Sequence, residues 1–251
     1  MHLAEATWTE VDDVSDDTDL AVLPVGSTEQ HGPHAPLGTD TLNAEAVADA
    51  AAAAYSEEHD HDVVVAPAIP VGVAEEHRQF TGTLWVTEDT FRDYVRETVA
   101  ALSSHGFDRV VLVNGHGGNV AALREVAGTI TRRDDAYAVS FTWFEAVGKH
   151  ASDMGHGGPL ETALLRHANP ETVREDRVDE AREGGSDRWG DWVSGVNLAH
   201  DSAEFSENGV VGDPAGGDAD RGEELLALAT EALVALLDGV AERDVSRPEH
   251  R

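Results

Sequence analysis

Two stretches of this chain place carboxylates and imidazoles in glycine-rich turns just after apolar runs. The first is Leu23-Pro-Val-Gly-Ser-Thr-Glu29-Gln-His31-Gly-Pro-His34-Ala-Pro-Leu-Gly-Thr-Asp40, and the second is Asn114-Gly-His116-Gly-Gly-Asn119. Glu29 and His31 alternate, so an extended backbone points both to one side. Asp40 returns after a loop rich in Gly and Pro, and His116 follows the apolar run Arg109-Val-Val-Leu-Val-Asn114. Several carboxylates gathered without a basic partner need a cation. Mixed carboxylate and imidazole donors suit Zn, Mn or Fe better than Mg or Ca, which prefer oxygen alone. An Asp that bridges two such ions gives a divalent-metal hydrolase, with two metals per chain activating a water at neutral pH. The competing reading is a buried carboxylate–histidine pair that ties two loops together.

A second cluster is Asp153-Met-Gly-His156-Gly-Gly-Pro-Leu-Glu161-Thr162. His156 is placed to pass a proton to a leaving nitrogen, and Glu161 to act as an acid or metal ligand beside it. The alternative is a capping loop with Glu161 on the helix dipole. In a third cluster, Glu75-Glu76-His77-Arg78-Gln-Phe80-Thr-Gly82-Thr83, His77 and Arg78 either line a pocket or begin a surface loop. Arg78 is the candidate anchor for a phosphate on the substrate. His2, His59, His61, His105 and His250 sit in polar or terminal contexts and are expected to be solvated.

Strands and helices must alternate to bring these turns together. Strands are predicted at Leu20–Val25, Val63–Ala66, Val110–Val113 and Tyr137–Phe141. Helices are predicted at Leu42–Tyr55, Thr87–Leu102, Val120–Ile130 and Pro159–His167, with another starting at Asn169-Pro170 and a last one over 219–242. The glycine-spotted stretch 184–218 is long for a loop and suggests an excursion near the site or a subunit contact. Such alternation predicts an α/β fold, three-layer α/β/α with a mainly parallel central sheet, whose ligand lies beyond the strands' carboxyl ends. The 251 residues suit one domain, residues 1–251.

Composition narrows the class. There is no cysteine, so disulfides, thiolate catalysis and Cys-based metal sites are excluded, and any ion must rest on the 13 His and the carboxylates. The 49 acidic residues outnumber the 17 basic ones, of which only Lys149 is a lysine, for a formal charge of −32. That field repels phosphate backbones, so no nucleic-acid partner is expected. Acidity spread over the chain rather than massed in a tail suggests a halophilic protein screened by molar salt. No membrane partner is expected, because no apolar run approaches the ~18 residues of a span. The N-terminus lacks a signal-peptide pattern, so a cytoplasmic location is expected.

On these residues the sequence resembles the creatininase family of metal-dependent amidohydrolases. The matching segments are Pro24 to His34, Leu37 to Thr41, Glu76-His77 with Phe80 and Gly82-Thr83, Asn114 to Asn119, His156-Gly-Gly with Glu161-Thr162, and Gly209-Val-Val-Gly-Asp-Pro214. The resemblance implies the three-layer fold, metal ligation by Glu29, His31, Asp40 and His116 with Asp40 bridging, and proton transfer by His156. It implies a small-molecule amide substrate and a homo-oligomer of up to six subunits. It also extends to Trp143 and Asp153 as substrate contacts. Creatininase proper carries an aromatic residue and a metal-binding glutamate where this chain has Gly117 and Gly118, and a tryptophan at Ser152. Glu161 is the candidate replacement for that glutamate. The Gly-Gly form is closer to the branches that deformylate a formamidopyrimidine nucleotide in archaeal flavin and deazaflavin synthesis, or cleave a peptide in mycofactocin maturation. A halophilic archaeal source fits the charge.

The leading expectation is therefore hydrolysis of a non-peptide C–N bond. A two-metal phosphoesterase should show clustered Arg or Lys beside the motifs, and none adjoins them. A non-catalytic metal-binding assembly subunit need not have kept His156.

Overall fold

A computed structural model describes residues 1–59 and 62–246; His61 and His250 lie outside the described residues. Its centre is a parallel sheet in the order β2-β1-β3-β4, formed by β1 (Leu20–Val25), β2 (Val64–Val65), β3 (Arg109–Asn114) and β4 (Tyr137–Thr142). Register pairs Val25 with Asn114 and Asn114 with Thr142, so β1, β3 and β4 end level with one another. β1 is buried along its whole length, as its unbroken apolar run requires of a strand covered on both faces.

Side-chain alternation divides the core in two. Leu20, Val22, Val111 and Val113 face α2 (Thr39–Glu58), α5 (Pro159–Ala168) and α7 (Ala219–Ala241). Ala21, Leu23, Val110 and Leu112 face α3 (Glu88–Ser104) and α4 (Val120–Arg133). The result is the expected α/β/α arrangement.

Three local features differ from the sequence reading. Helix α1 (Trp8–Ser15) was not anticipated; a capping box between Thr7 and Glu10 starts it, and none of its residues is buried. Asn169-Pro170 opens only a short 3-10 turn, Pro170–Thr172, with no side-chain cap from Asn169, and the next helix, α6, is Val178–Gly184. His59 is not simply solvated: its ring stacks on Tyr55 at 3.9 Å and lies 3.1 Å from Asp238, joining the ends of α2 and α7. Within 184–218 a hairpin forms from β5 (Trp192–Val193) and β6 (Val196–Asn197), turning through Ser194 and Gly195, both at positive φ. No helix among the described residues is long and apolar enough to cross a membrane.

Many arginines are already paired with acids, as Arg92 is with Glu88 and Asp89 and Arg96 with Asp134, so the excess negative charge has little internal compensation. Thermal melts should show the consequence. The melting temperature should rise by about 4 °C or more between ~0.1 M and ~2 M KCl, roughly 1–2 kcal/mol for a chain of this size. An unchanged value would show that self-repulsion does not limit stability.

Candidate metal centre

The strand ends supply most of the site. Glu29 and His31 follow β1, His116 follows β3, and His156 and Glu161 arrive with the start of α5. His77 lies on the 3-10 turn Glu75–His77, which follows β2. Asp40 does not sit in the loop but on the first turn of α2. It is brought down because that helix packs directly on the β3 turn, where a Cβ at Gly115 would lie 2.1 Å from the Asp40 carbonyl oxygen.

These side chains converge in the protein interior. Glu29 and His31 are fully buried, and Asp40, His77, His116, His156 and Glu161 nearly so. His31 Nε2 lies 3.1 Å from Asp40 Oδ1, and His116 Nδ1 lies 3.2 Å from both Asp40 Oδ2 and Glu29 Oε1. Glu161 Oε2 lies 3.8 Å from His31 Nε2 and accepts the Gly157 N–H at 2.7 Å. Backbone carbonyls hold the outer ring nitrogens: His31 Nδ1 donates to Glu29 O, His116 Nε2 to Val73 O, and His156 Nε2 to Gln30 O. Each ring therefore turns its remaining nitrogen inward, which is how metal-binding imidazoles are oriented.

Burial alone would lower the His31 pKa, but the charge and hydrogen bond of Asp40, with Glu161 and Glu29, hold it up at about 9. His116 is raised in the same way by Glu29 and Asp40 against the cost of burial. Burial would raise Asp40, yet His31 and His116 pull it below the usual carboxylate range. Glu161 is pushed up to about 8, first by burial and then by Asp40 and Glu29, with His31 opposing. His156 falls well below the ordinary imidazole value because it is buried beside His31 and His77. Protons on His31 and His116 thus occupy the place of a cation among carboxylates. Both oxygens of Glu29 and Oδ2 of Asp40 have no hydrogen-bond partner, so the donor set fits a divalent ion. Glu29, His31 and Asp40 each offer an atom within a common 4.8 Å, as do His31, His156 and Glu161.

The family model described as "Creatininase: Creatinine amidohydrolase" matches residues 4–237. The chain belongs to the creatininase family. It is 34% identical over 224 residues to the mycofactocin precursor peptide peptidase of Mycolicibacterium smegmatis, covering 89% of this chain and 83% of that protein. It is 28% identical over 202 residues to the creatinine amidohydrolase of Pseudomonas putida, covering 71% and 75%. Among solved structures, a mutant creatininase of Zn-Zn type superposes with a TM-score of 0.82 at 22% identity, covering 96% of this chain and 98% of that chain. "Creatininase Mn" superposes at 0.76 and 23%, covering 96% and 99%. At those identities the structures show a shared fold, and the chain is a hydrolase of this family.

Within the creatininase fold, the glycines at 117 and 118 are not equivalent. A Cβ on Gly117 would meet nothing within 4 Å, so a side chain there would find open space. A Cβ on Gly118 would lie 2.2 Å from Val73 O, 2.5 Å from His116 Nε2 and 3.1 Å from Glu76 Oε1. A glutamate cannot stand at 118 without moving backbone, whereas a side chain at 117 could be accommodated.

The four candidate substrate contacts separate. His77 joins the cluster, with Nε2 at 3.4 Å from Glu29 Oε1. Arg78 is engaged with Glu75 at 3.3 Å and Asp201 at 2.9 Å, so it fastens the 3-10 turn to the 184–218 excursion and is not a free phosphate anchor. Asp153 pairs with Arg221 at the surface. Trp143 is fully buried in the apolar core, edge-on to Phe144, and so is closed to substrate. Sequence reasoning missed Trp189, whose ring meets His156 edge-on at 6.3 Å, and Gln30, whose amide reaches His77. A tryptophan within the long glycine-spotted excursion was the available signal for the first.

Proposed function

We propose that this protein is a metal-dependent amidohydrolase whose ion or ion pair rests on Glu29, His31, Asp40, His116 and Glu161. The observation that carries the reading is the set of unsatisfied carboxylate oxygens on Glu29 and Asp40 at the centre of a buried ring of histidines. Asp40 would be the bridging ligand, its two oxygens lying beside His31 and His116 separately. The solved relatives whose descriptions name Zn or Mn support those metals, and the Zn-Zn form supports two ions. A bound divalent ion polarises the scissile carbonyl and acidifies water. The remaining work falls to side chains. His156 is neutral, with Nε2–H committed to the Gln30 carbonyl, so its Nδ1 is the atom that takes a proton and returns it to the departing nitrogen. Glu161 holds its proton near neutral pH while no ion is bound and gives it up as a ligand; a Glu161 that kept its proton would instead be a second acid beside His156. Trp189, itself partly exposed, meets the His156 ring edge-on from the 184–218 excursion.

The substrate class is a small amide. A peptide amide is the second reading, favoured by the 34% identity to a peptide peptidase and by the space beside Gly117. The exposed Trp192, Val193, Val196 and Leu198 of the neighbouring hairpin region offer apolar surface for a longer substrate. Side-by-side kinetics on creatinine, a formamidopyrimidine nucleotide and short peptides test the ranking. kcat/KM should favour a formamide, a larger heterocyclic amide or a peptide over creatinine by at least about tenfold, or ~1.4 kcal/mol. Efficient creatinine turnover with no action on the others would overturn the ranking. A halophilic archaeal source, a cytoplasmic location and a homo-oligomer, up to a hexamer, complete the proposal; light scattering in high salt tests the last.

A further inference from the structure

His77 lies within reach of two residues that could ligate an ion with it, Glu29 and His156, yet its hydrogen bonds assign it another role. Its Nδ1 is 2.9 Å from Nε2 of the Gln30 side chain. The orientation of that amide is set by backbone groups whose polarity is fixed. The Gly32 N–H donates to Gln30 Oε1 at 3.0 Å, and Gln30 Nε2 donates to the Gly209 carbonyl at 3.1 Å. A flipped amide would set donor against donor and acceptor against acceptor. Gln30 therefore spends its second N–H on His77 Nδ1, which must carry the lone pair. The ring is neutral and its proton sits on Nε2, which lies 3.4 Å from Glu29 Oε1 in a polar contact without hydrogen-bond alignment.

We propose that His77 is a positioning residue, locked by Gln30 in the Nε2–H tautomer, which steers the Glu29 carboxylate through a 3.4 Å polar contact and does not bind an ion. The proposal rests on the metal-site reading for its purpose, while the tautomer is testable without it. A protonated nitrogen has no lone pair for an ion, which removes His77 from the ligand set. His116 and His156 commit their Nε2 hydrogens to carbonyls, and an ion held by His116 would take its Nδ1 proton, so in a loaded site the His77 Nε2–H would be the imidazole N–H beside Glu29 among the described residues. The His77 ring also stacks on His156 at 4.2 Å and 18°, so the same lock sets the floor beneath the proton shuttle.

The lock also gives a role to the Gly209-Val-Val-Gly-Asp-Pro214 segment. Gly209 has φ +83, and a Cβ there would lie 2.1 Å from Gln30 Cδ, so glycine lets this carbonyl reach the amide. Gln30 lies between the ligand candidates Glu29 and His31, and its amide and the Glu29 carboxylate meet the same imidazole, at Nδ1 and Nε2.

The test is nitrogen-15 spectroscopy of the imidazoles in the full-length protein, metal-free and loaded with cadmium-113. His77 should show an unprotonated Nδ1 and a protonated Nε2 in both states. Cadmium coupling should appear at His31 and His116 and be absent at His77. Gln30→Glu, which replaces the donor with an acceptor, should move the His77 proton to Nδ1. His77→Ala should keep the wild-type number of ions per chain while binding them about 10–100-fold more weakly. Cadmium coupling at His77, an Nδ1–H tautomer in the wild type, an unchanged tautomer in Gln30→Glu, or loss of an ion in His77→Ala would each overturn the proposal. If no histidine couples to cadmium, the metal-site reading fails, and the metal-free tautomer still decides whether Gln30 locks His77.

Discussion

Asp40→Ala is expected to empty the metal centre, with His116→Ala close behind. Asp40 meets His31 through one oxygen and His116 through the other, so its loss removes a carboxylate that contacts both histidines. Removing one member of a buried charge cluster costs about 3–5 kcal/mol, or roughly 10²–10⁴-fold in ion affinity. Elemental analysis of purified variants checks this, with circular dichroism to show that the fold survives. Both variants as metal-replete as wild type would remove these residues from the ligand set.

The same ion must also compete with protons. In the metal-free protein His31 titrates at about 9 against an ordinary 6.5, and Glu161 at about 8 against an ordinary 4.5. Below about 6.5 these extra protons are opposed by His34, His77 and His156, which burial keeps neutral in the folded state while the unfolded chain protonates them. Above about 6.5 only the raised groups differ, so the metal-free protein loses stability as pH rises from about 6.5 to about 9. A bound ion replaces those protons, so its affinity should rise with pH over the same range. Calorimetry in buffers of different ionisation enthalpy should detect proton release on loading. Affinity that is flat with pH would mean that His31 and Glu161 keep their protons and do not ligate.

His156→Ala is expected to retain its metal while losing activity by about 10²–10⁴-fold, the usual contribution of a positioned acid–base group. The reason lies in its placement. His156 sits within reach of His31 and Glu161 on one side and of Glu29 and His77 on the other, and burial keeps it neutral. The expected signature is a fall in kcat at unchanged ion content, with loss of one limb of the pH profile. Activity within a few fold of wild type would make His156 a structural cap of the α5 entry. Loss of an ion would make it a ligand instead.

The sequence by itself determined the layered fold and the cluster's core, for physical reasons that are local. An uninterrupted apolar run such as Val110–Val113 can be satisfied only between two layers, and polar turns must follow it where a parallel strand emerges. Alternation suggested Glu29 and His31 on one side; the close approach of Gly115 to the Asp40 carbonyl at the β3 turn came only from the structure. The tertiary structure alone decided the rest, because it depends on contacts between segments distant in the chain. Spacing could not tell that Trp143 packs inward while Trp189 from the 184–218 excursion reaches His156. It could not tell that Arg78 is bound to Asp201, or that Gly118 faces the Val73 carbonyl while Gly117 faces open space. Nor could it give the tautomer of His77, which is fixed through Gln30 by the backbone of residues 32 and 209. Residue types revealed which groups could do the chemistry; direction, protonation and access follow from which distant atoms they meet after folding.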